Sequence, residues 1–200
     1  MGGAPERLDS VCVYCSSSNA ADPAFLAAAA ELGRALAAAG LRLVYGGGGV
    51  GLMGACALAA HEAGGKVLGI IPQFLVDRER PLHAIETVVV ESMHERKMQM
   101  FEAADAFVVL PGGIGTLEEV IELLSWRRLE LHRKPIVFYN PGGFWDGLFG
   151  FFAESIAQNL TPPEFRQAWS AVSRIDQVVP LLQGADPQTF ENDTAVARLS

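Results

Sequence analysis

A single Rossmann-like α/β domain, a doubly wound parallel sheet with helices on both faces, is the fold predicted by three observations in the sequence. Short apolar runs recur at 11–15, 41–45, 66–71, 106–110 and 136–139; they are too short for helices and read as strands buried on both faces. Helical patterns with start and stop signals separate these runs, and that alternation implies parallel crossover connections. Glycines bunch at 46–54 and 112–115, directly after two of the runs, at the strand ends where such sheets bind ligands. With 200 residues, half of them hydrophobic, the chain suffices for one well-buried core. The domain is expected to occupy residues 1–183, followed by a polar, mobile tail over 184–200.

In chain order, the strand at 11–15 is followed by Asp22-Pro23, an N-cap and first-turn proline for an alanine-rich helix that stops at Gly40. Leu41 to Tyr45 is a strand and Gly46 to Gly49 a turn. Val50 to Ala63 is a helix closed by Gly64-Gly65, and Lys66 to Ile71 the next strand. A loop from Pro72 to Ile85 leads to a short strand at Glu86–Val90. Ser92-x-x-Glu95 then forms a capping box that opens a helix to Ala104. Ala106 to Leu110 is a strand without a polar residue, Pro111 to Gly115 a turn, and Thr116-x-x-Glu119 a second capping box for a helix to Leu131. Ile136 to Tyr139 is a strand. Helices are expected around Trp145–Gln158 and after Thr161-Pro162-Pro163, with a last strand and helix within 170–183.

Charge and composition exclude several classes of function. A formal net charge of −8 lacks the basic field that nucleic acid or an anionic membrane surface requires, while leaving room for one locally held phosphate. No window reaches the eighteen or so apolar residues of a membrane span, and MGGAPERLDS lacks a signal peptide's pattern, so a cytoplasmic protein is expected. Cys12, Cys15 and Cys56 are odd in number and suit reduced thiols. Cys12-x-x-Cys15 lies inside a strand, whereas redox pairs of this spacing open helices.

Four features carry chemical information. Gly49-x-Gly51-x-x-Gly54 follows a strand and opens a helix, as a dinucleotide fingerprint does. The next strand nevertheless ends Gly69-Ile70-Ile71-Pro72-Gln73, without the acidic residue that would hold a ribose. Pro111-Gly112-Gly113-Ile114-Gly115-Thr116 leaves backbone N–H groups free at a helix N-terminus, an anion site with no following lysine. Glu118 and Glu119 stand in the first turn instead. Glu119 reads equally well as the last member of a capping box and as a carboxylate beside a sugar whose anomeric carbon becomes positive. Finally, Arg96 and Lys97 sit about 100° apart on a helix, so that one can reach a ligand while the other is solvated. The histidines show no ligand spacing, and no metal is expected.

Met93-His94-Glu95-Arg96-Lys97, followed by Pro111-Gly112-Gly113-Ile114-Gly115-Thr116-Leu117-Glu118-Glu119, resembles the M-H-x-R-K and P-G-G-x-G-T-x-x-E pair of the LONELY GUY (LOG) family. The resemblance extends through Cys15-Ser16-Ser17-Ser18, the glycine run from Tyr45 to Gly54 and Gly69-Ile70-Ile71-Pro72, covering residues 10–180. It implies a cytokinin riboside 5′-monophosphate phosphoribohydrolase, which splits an N6-substituted adenosine monophosphate, and often AMP, into free base and ribose 5-phosphate without a cofactor. Arg96 and Glu119 fall on the family's catalytic positions. Glu79, Arg96, Lys97, Gly112, Gly113, Ile114, Gly115, Thr116, Leu117 and Glu118 fall on its nucleotide-binding positions. So does Ser125, where plant members often have threonine.

By the same resemblance, the phosphate is expected on the 112–116 loop, with Glu119 stabilising the cationic transition state and orienting water. Arg96 holds the substrate and supports departure of the base, and Glu118 binds ribose hydroxyls. A homodimer is implied as well. The alternative is a non-catalytic nucleotide or molybdenum-cofactor carrier of the same fold, against which the complete Arg96 and Glu119 pair argues. Lysine decarboxylation, an older label for the family, requires a supported Schiff-base lysine, and no lysine here has that setting.

Overall fold

The computed structural model describes residues 8–185. Seven parallel strands form one sheet: β1 (Ser10–Tyr14), β2 (Arg42–Tyr45), β3 (Val67–Pro72), β4 (Glu86–Val90), β5 (Ala106–Val109), β6 (Ile136–Tyr139) and β7 (Ser170–Val172). Their spatial order is β4-β3-β2-β1-β5-β6-β7. The chain winds outward from β1 to β4, returns to the centre and winds the other way, which is the doubly wound topology. Register follows directly, with Val11 beside Leu43 on one side and Ala106 on the other.

Alternation along β1 divides the core in two. Val11 and Val13 face one layer, while Cys12 and Tyr14 face the other, as the two-residue period of a strand requires. The first layer contains α1 (Pro23–Ala38), α2 (Gly51–Glu62) and, near the C-terminus, α7 (Val178–Leu182). Between α2 and α7 the chain forms α3 (Val76–Glu79), α4 (Met93–Glu102), α5 (Ile114–Arg128) and α6 (Asp146–Ala157). Helices α4, α5 and α6 cover the second layer through residues such as Met100, Val120 and Phe149. The Asp22 side chain accepts from Ala24 N at 2.8 Å, and Pro23 opens α1, as the sequence predicts. Cys12, Cys15 and Cys56 are buried free thiols, each pushed up chiefly by burial.

Helices α1 and α2 pack closely because Gly33 has no side chain. A Cβ there would press on the Cys56 carbonyl oxygen and the Ala60 nitrogen, both backbone atoms of α2. Gly33→Ala is expected to lower stability by about 1–3 kcal/mol, overriding alanine's helix preference of about 1 kcal/mol. A fall in thermal midpoint checks this.

Three local expectations are corrected. Residues 72–85 are not a plain loop: a 3₁₀ turn at Gln73–Leu75 leads into α3, which ends where Arg80 turns left-handed at φ 47°. After Thr161 the chain forms a 3₁₀ turn, Pro163–Gln167, in place of an α-helix; short 3₁₀ pieces suit such connectors. Thr116 does not cap α5, because the helix begins two residues earlier with Gly113 at the N-cap. Residues 186–200 of the expected tail lie outside the described residues.

Candidate active site

The topological switch between β1 and β5 opens a crevice beyond their carboxyl ends. Ser16 N donates to Pro111 O at 3.2 Å, tying the loop after β1 to the loop after β5. Leu52 N donates to Ser16 O at 2.9 Å, which brings the start of α2 to the same place. Gly51 is required there. It is left-handed at φ 58°, and a Cβ would meet the Ser17 backbone. The result is a cavity of about 290 Å³, lined by residues 15–18 and 113–116 together with Met53, Glu79, Arg96 and Glu119.

One wall is the N-terminus of α5. Gly113 caps it without a side-chain bond, and the first ladder bond runs from Leu117 N to Gly113 O at 2.9 Å. The N–H groups of the first turn have no acceptor within the helix, and their partial positive charge favours an anion. Gly112 supports the turn from behind, since a Cβ there would overlap the Thr116 side chain.

Helix α4 supplies the cation. Ser92 Oγ accepts from Glu95 N at 3.1 Å, while the Glu95 carboxylate accepts from Glu91 N at 3.0 Å instead of from Ser92. The expected capping box is therefore half formed, its return bond shifted by one residue. Arg96 turns inward and is 5 % exposed. Its Nε donates to Ile70 O at 3.2 Å and its Nη2 to Gly46 O at 2.9 Å, so the guanidinium is held at the ends of β2 and β3. Nη2 lies 3.9 Å from Glu79 Oε2, and Nη1 lies 4.0 Å from Glu119 Oε1. Lys97, one position on, diverges as expected. Its Nζ pairs with Glu118 at 2.6 Å and Glu122 at 2.9 Å, bridging α4 to α5.

Burial dominates the electrostatics. The Glu119 carboxyl is pushed up to about 7, chiefly by burial, with Arg96 opposing and Glu118 and Glu79 adding to the rise. Glu79 is raised as well, again by burial first, with Arg96 and Arg78 opposing. Glu79 Oε2 is buried without a hydrogen-bond partner. The correction to Thr116 removes the capping-box reading of Glu119, whose side chain is free to face Arg96.

Of the residues expected at the site, Glu79, Arg96, Gly113, Ile114, Gly115, Thr116 and Glu119 meet in this cavity. Leu117, Glu118 and Ser125 line a different, shallow groove along α5, together with Ile114, Ile121, Glu122 and Trp126. Ser16, Ser17, Ser18 and Met53 form walls to which sequence reasoning assigned no role. Their signal was position, after the first strand and at the helix that follows the first glycine cluster, and membership of the segments over which the family resemblance extends. Among the described residues, no group of three or more His, Cys, Asp or Glu is placed to hold a metal ion, and no helix is long and apolar enough to cross a membrane.

Fold and site define a class: a Rossmann-like α/β protein with an anion cradle at a helix N-terminus and a buried guanidinium within 4.0 Å of two half-buried carboxyl groups. A family profile described as "Possible lysine decarboxylase" matches residues 53–182. A probable cytokinin riboside 5′-monophosphate phosphoribohydrolase of Oryza sativa subsp. japonica is 42% identical over 183 residues, covering 88% of this chain and 81% of that protein. An Arabidopsis thaliana enzyme of the same name, without "probable", is 39% identical over 186 residues, covering 92% and 86%. The chain belongs to this LOG family of cytokinin riboside 5′-monophosphate phosphoribohydrolases. Among solved structures, the molybdenum cofactor binding protein of Rippkaea orientalis superposes with a TM-score of 0.68 at 22% identity, covering 89% of this chain and 97% of that one. A Moco carrier protein of Chlamydomonas reinhardtii gives 0.68 at 21%, covering 88% and 96%. These two likenesses show the shared fold.

Proposed function

We propose that the chain hydrolyses the N-glycosidic bond of N6-substituted adenosine 5′-monophosphates, and of AMP, releasing the free base and ribose 5-phosphate. The observation that carries this reading is Arg96 held between Glu79 and Glu119 beside the N-terminus of α5. A 5′-phosphate on the 113–116 N–H groups sets the ribose against the carboxyl groups one helical turn further on. Arg96 donates to two carbonyl oxygens and lies within 4.0 Å of both carboxyl groups; it fixes the geometry and balances charge. Burial alters the role expected of Glu119. With its carboxyl raised to about 7, it is part protonated at neutral pH, and the protonated form hands its proton to the departing base and becomes a carboxylate as positive charge grows on the sugar.

The exposed apolar face of α5 and the segment after it, with Ile114 at 83% and Leu131 at 67% exposure, supports a homodimer. It also adjoins the groove where Leu117, Glu118 and Ser125 are proposed to complete the binding surface. Three buried free thiols, which stay reduced in the cytoplasm, support a cytoplasmic reaction.

The test is release of ribose 5-phosphate from isopentenyladenosine monophosphate and from AMP. Binding of either nucleotide without release would replace the hydrolase by a carrier. The cradle has its own test in Ile114→Pro. Proline suits the first helical position, and Gly113 before it is already extended at φ −97°, ψ −153°. The variant keeps α5 but removes one N–H from the anion, so KM is expected to rise about 10- to 100-fold, as loss of a hydrogen bond to a charged group predicts, with kcat little changed.

A further inference from the structure

Hydrolysis of a glycosidic bond requires two proton movements, one onto the departing base and one off the attacking water. In two-carboxyl glycosidases the two tasks fall to groups on opposite sides of the reacting bond. Glu119 accounts for one of them. The remaining cavity residues are hydroxyls, a thioether, a thiol, main-chain groups and Glu79. The Cys15 thiol is raised well above its ordinary value by burial and is no base at neutral pH. Arg96 is always a cation.

Resting on the hydrolase reading above, we infer that Glu79 is a second catalytic carboxylate: sharing the Arg96 guanidinium with Glu119, it takes the proton from the water that attacks the anomeric carbon. Three observations carry this inference. Glu79 and Glu119 approach different nitrogens of one guanidinium, Nη2 and Nη1, so two separate carboxyl groups line the same cavity around one cation. Glu79 Oε2 is buried and accepts no hydrogen bond, although buried carboxylate oxygens nearly always do; a bound water or sugar hydroxyl supplies the missing donor. The carboxyl group is also presented by a strained support. Its helix has four residues and ends in left-handed Arg80, and it is tied to the glycine turn by Gly49 N donating to Glu79 O at 2.7 Å. Backbone strain of this kind collects at functional sites.

Water oxygen bonds to the anomeric carbon while the carbon–nitrogen bond breaks and its electron pair leaves with the base. The water proton goes to Glu79, and the Glu119 proton goes to the base. The charged groups facing Glu79 are Arg96, from α4, and Arg78, from its own helix, both holding it toward the ionised form, with Glu119, from α5, at the same guanidinium.

Because the tie from Gly49 uses main-chain atoms, Glu79 variants retain it. Glu79→Gln is expected to lower kcat for isopentenyladenosine monophosphate by about 10²–10⁴-fold with KM nearly unchanged, and to abolish the acidic limb of the pH–rate profile. Glu79→Ala, shown to be folded by its thermal midpoint, is expected to recover turnover in sodium azide and to release ribosyl azide 5-phosphate. Azide needs no base, and a merely structural residue would not yield that product. A raised KM with unchanged kcat in Glu79→Gln, or a folded, slow Glu79→Ala that azide leaves slow, overturns the assignment while the hydrolase stands. Wild-type protein that releases no ribose 5-phosphate removes both.

Discussion

Glu119→Gln is expected to lower turnover by about 10²–10⁴-fold, the usual contribution of a positioned proton-transfer group, and at the same time to make the protein more stable at pH 8. The two effects share a cause. The folded site raises this carboxyl from the ordinary 4.5 to about 7, so folding favours the protonated form. Its contribution to stability is fully present below about pH 4.5 and is lost as pH rises through about 7. Above that, the native state carries a buried carboxylate, 11% exposed at the side chain, which the unfolded chain would leave in water. Glutamine has the same shape and stays neutral. The shift corresponds to about 3 kcal/mol at most, or a rise of several degrees in thermal midpoint at pH 8 for a chain of this size, fading toward pH 5. Melting curves at both pH values, set beside ribose 5-phosphate release, check this. Equal midpoints for wild type and variant at pH 8 would count against the buried-carboxyl account. A trade of stability for activity is common where catalysis requires a strained or buried charge.

Arg96→Met is expected to be the more damaging change to folding, at about 3–5 kcal/mol, the loss seen when one partner of a buried ion pair is removed. Methionine keeps much of the volume, but Glu79 and Glu119 lose the cation they share, and the Gly46 and Ile70 carbonyl oxygens lose their donors. The direction with pH is opposite to that of Glu119→Gln. The deficit is largest at pH 8, where the Glu119 carboxyl ionises, and shrinks toward pH 5 as that carboxyl takes up its proton. Turnover falls beyond detection. Arg96→Lys keeps the charge but replaces a planar fork by a compact ammonium, which cannot serve two carbonyl oxygens and two carboxylates in the same geometry; its stability should lie between the two. Urea midpoints at pH 5 and pH 8 check the order, and a deficit independent of pH would show that packing, not charge, is what Arg96 contributes.

The sheet was legible because parallel strands buried on both faces read as short apolar runs, and glycine and proline punctuate them. Val11 to Tyr14, Leu43 to Tyr45 and Ala106 to Val109 are such runs, and all lie in β1, β2 and β5. Arg96, Glu119 and the glycine turn were legible through a paired motif whose members lie about twenty residues apart on consecutive elements. Those residues meet because α4 leads into β5 and β5 into α5, a local consequence of chain order.

What chain order does not determine is which long-range partners face the motif. Thr116-x-x-Glu119 has the spacing of a capping box, yet α5 starts at Ile114; the Gly113 backbone begins the helix without a side-chain cap, and spacing cannot reveal where a helix's first residue falls. Ser125 belongs to the motif's helix but turns to the outer groove, because a position eleven residues beyond Ile114 stands three turns up the helix from the cradle. Glu79 lies in a segment with neither helical nor strand periodicity. Only the fold brings it to Arg96, through a bond to the Gly49 turn. The sequence by itself thus determined the layers, the crossover topology and the residue types at the cradle, since these follow from periodicity and short-range stereochemistry. Tertiary structure alone decided that two carboxyl groups share one buried guanidinium and that burial sets Glu119 near neutrality, because desolvation depends on every element packed around a side chain and not on its neighbours in the chain.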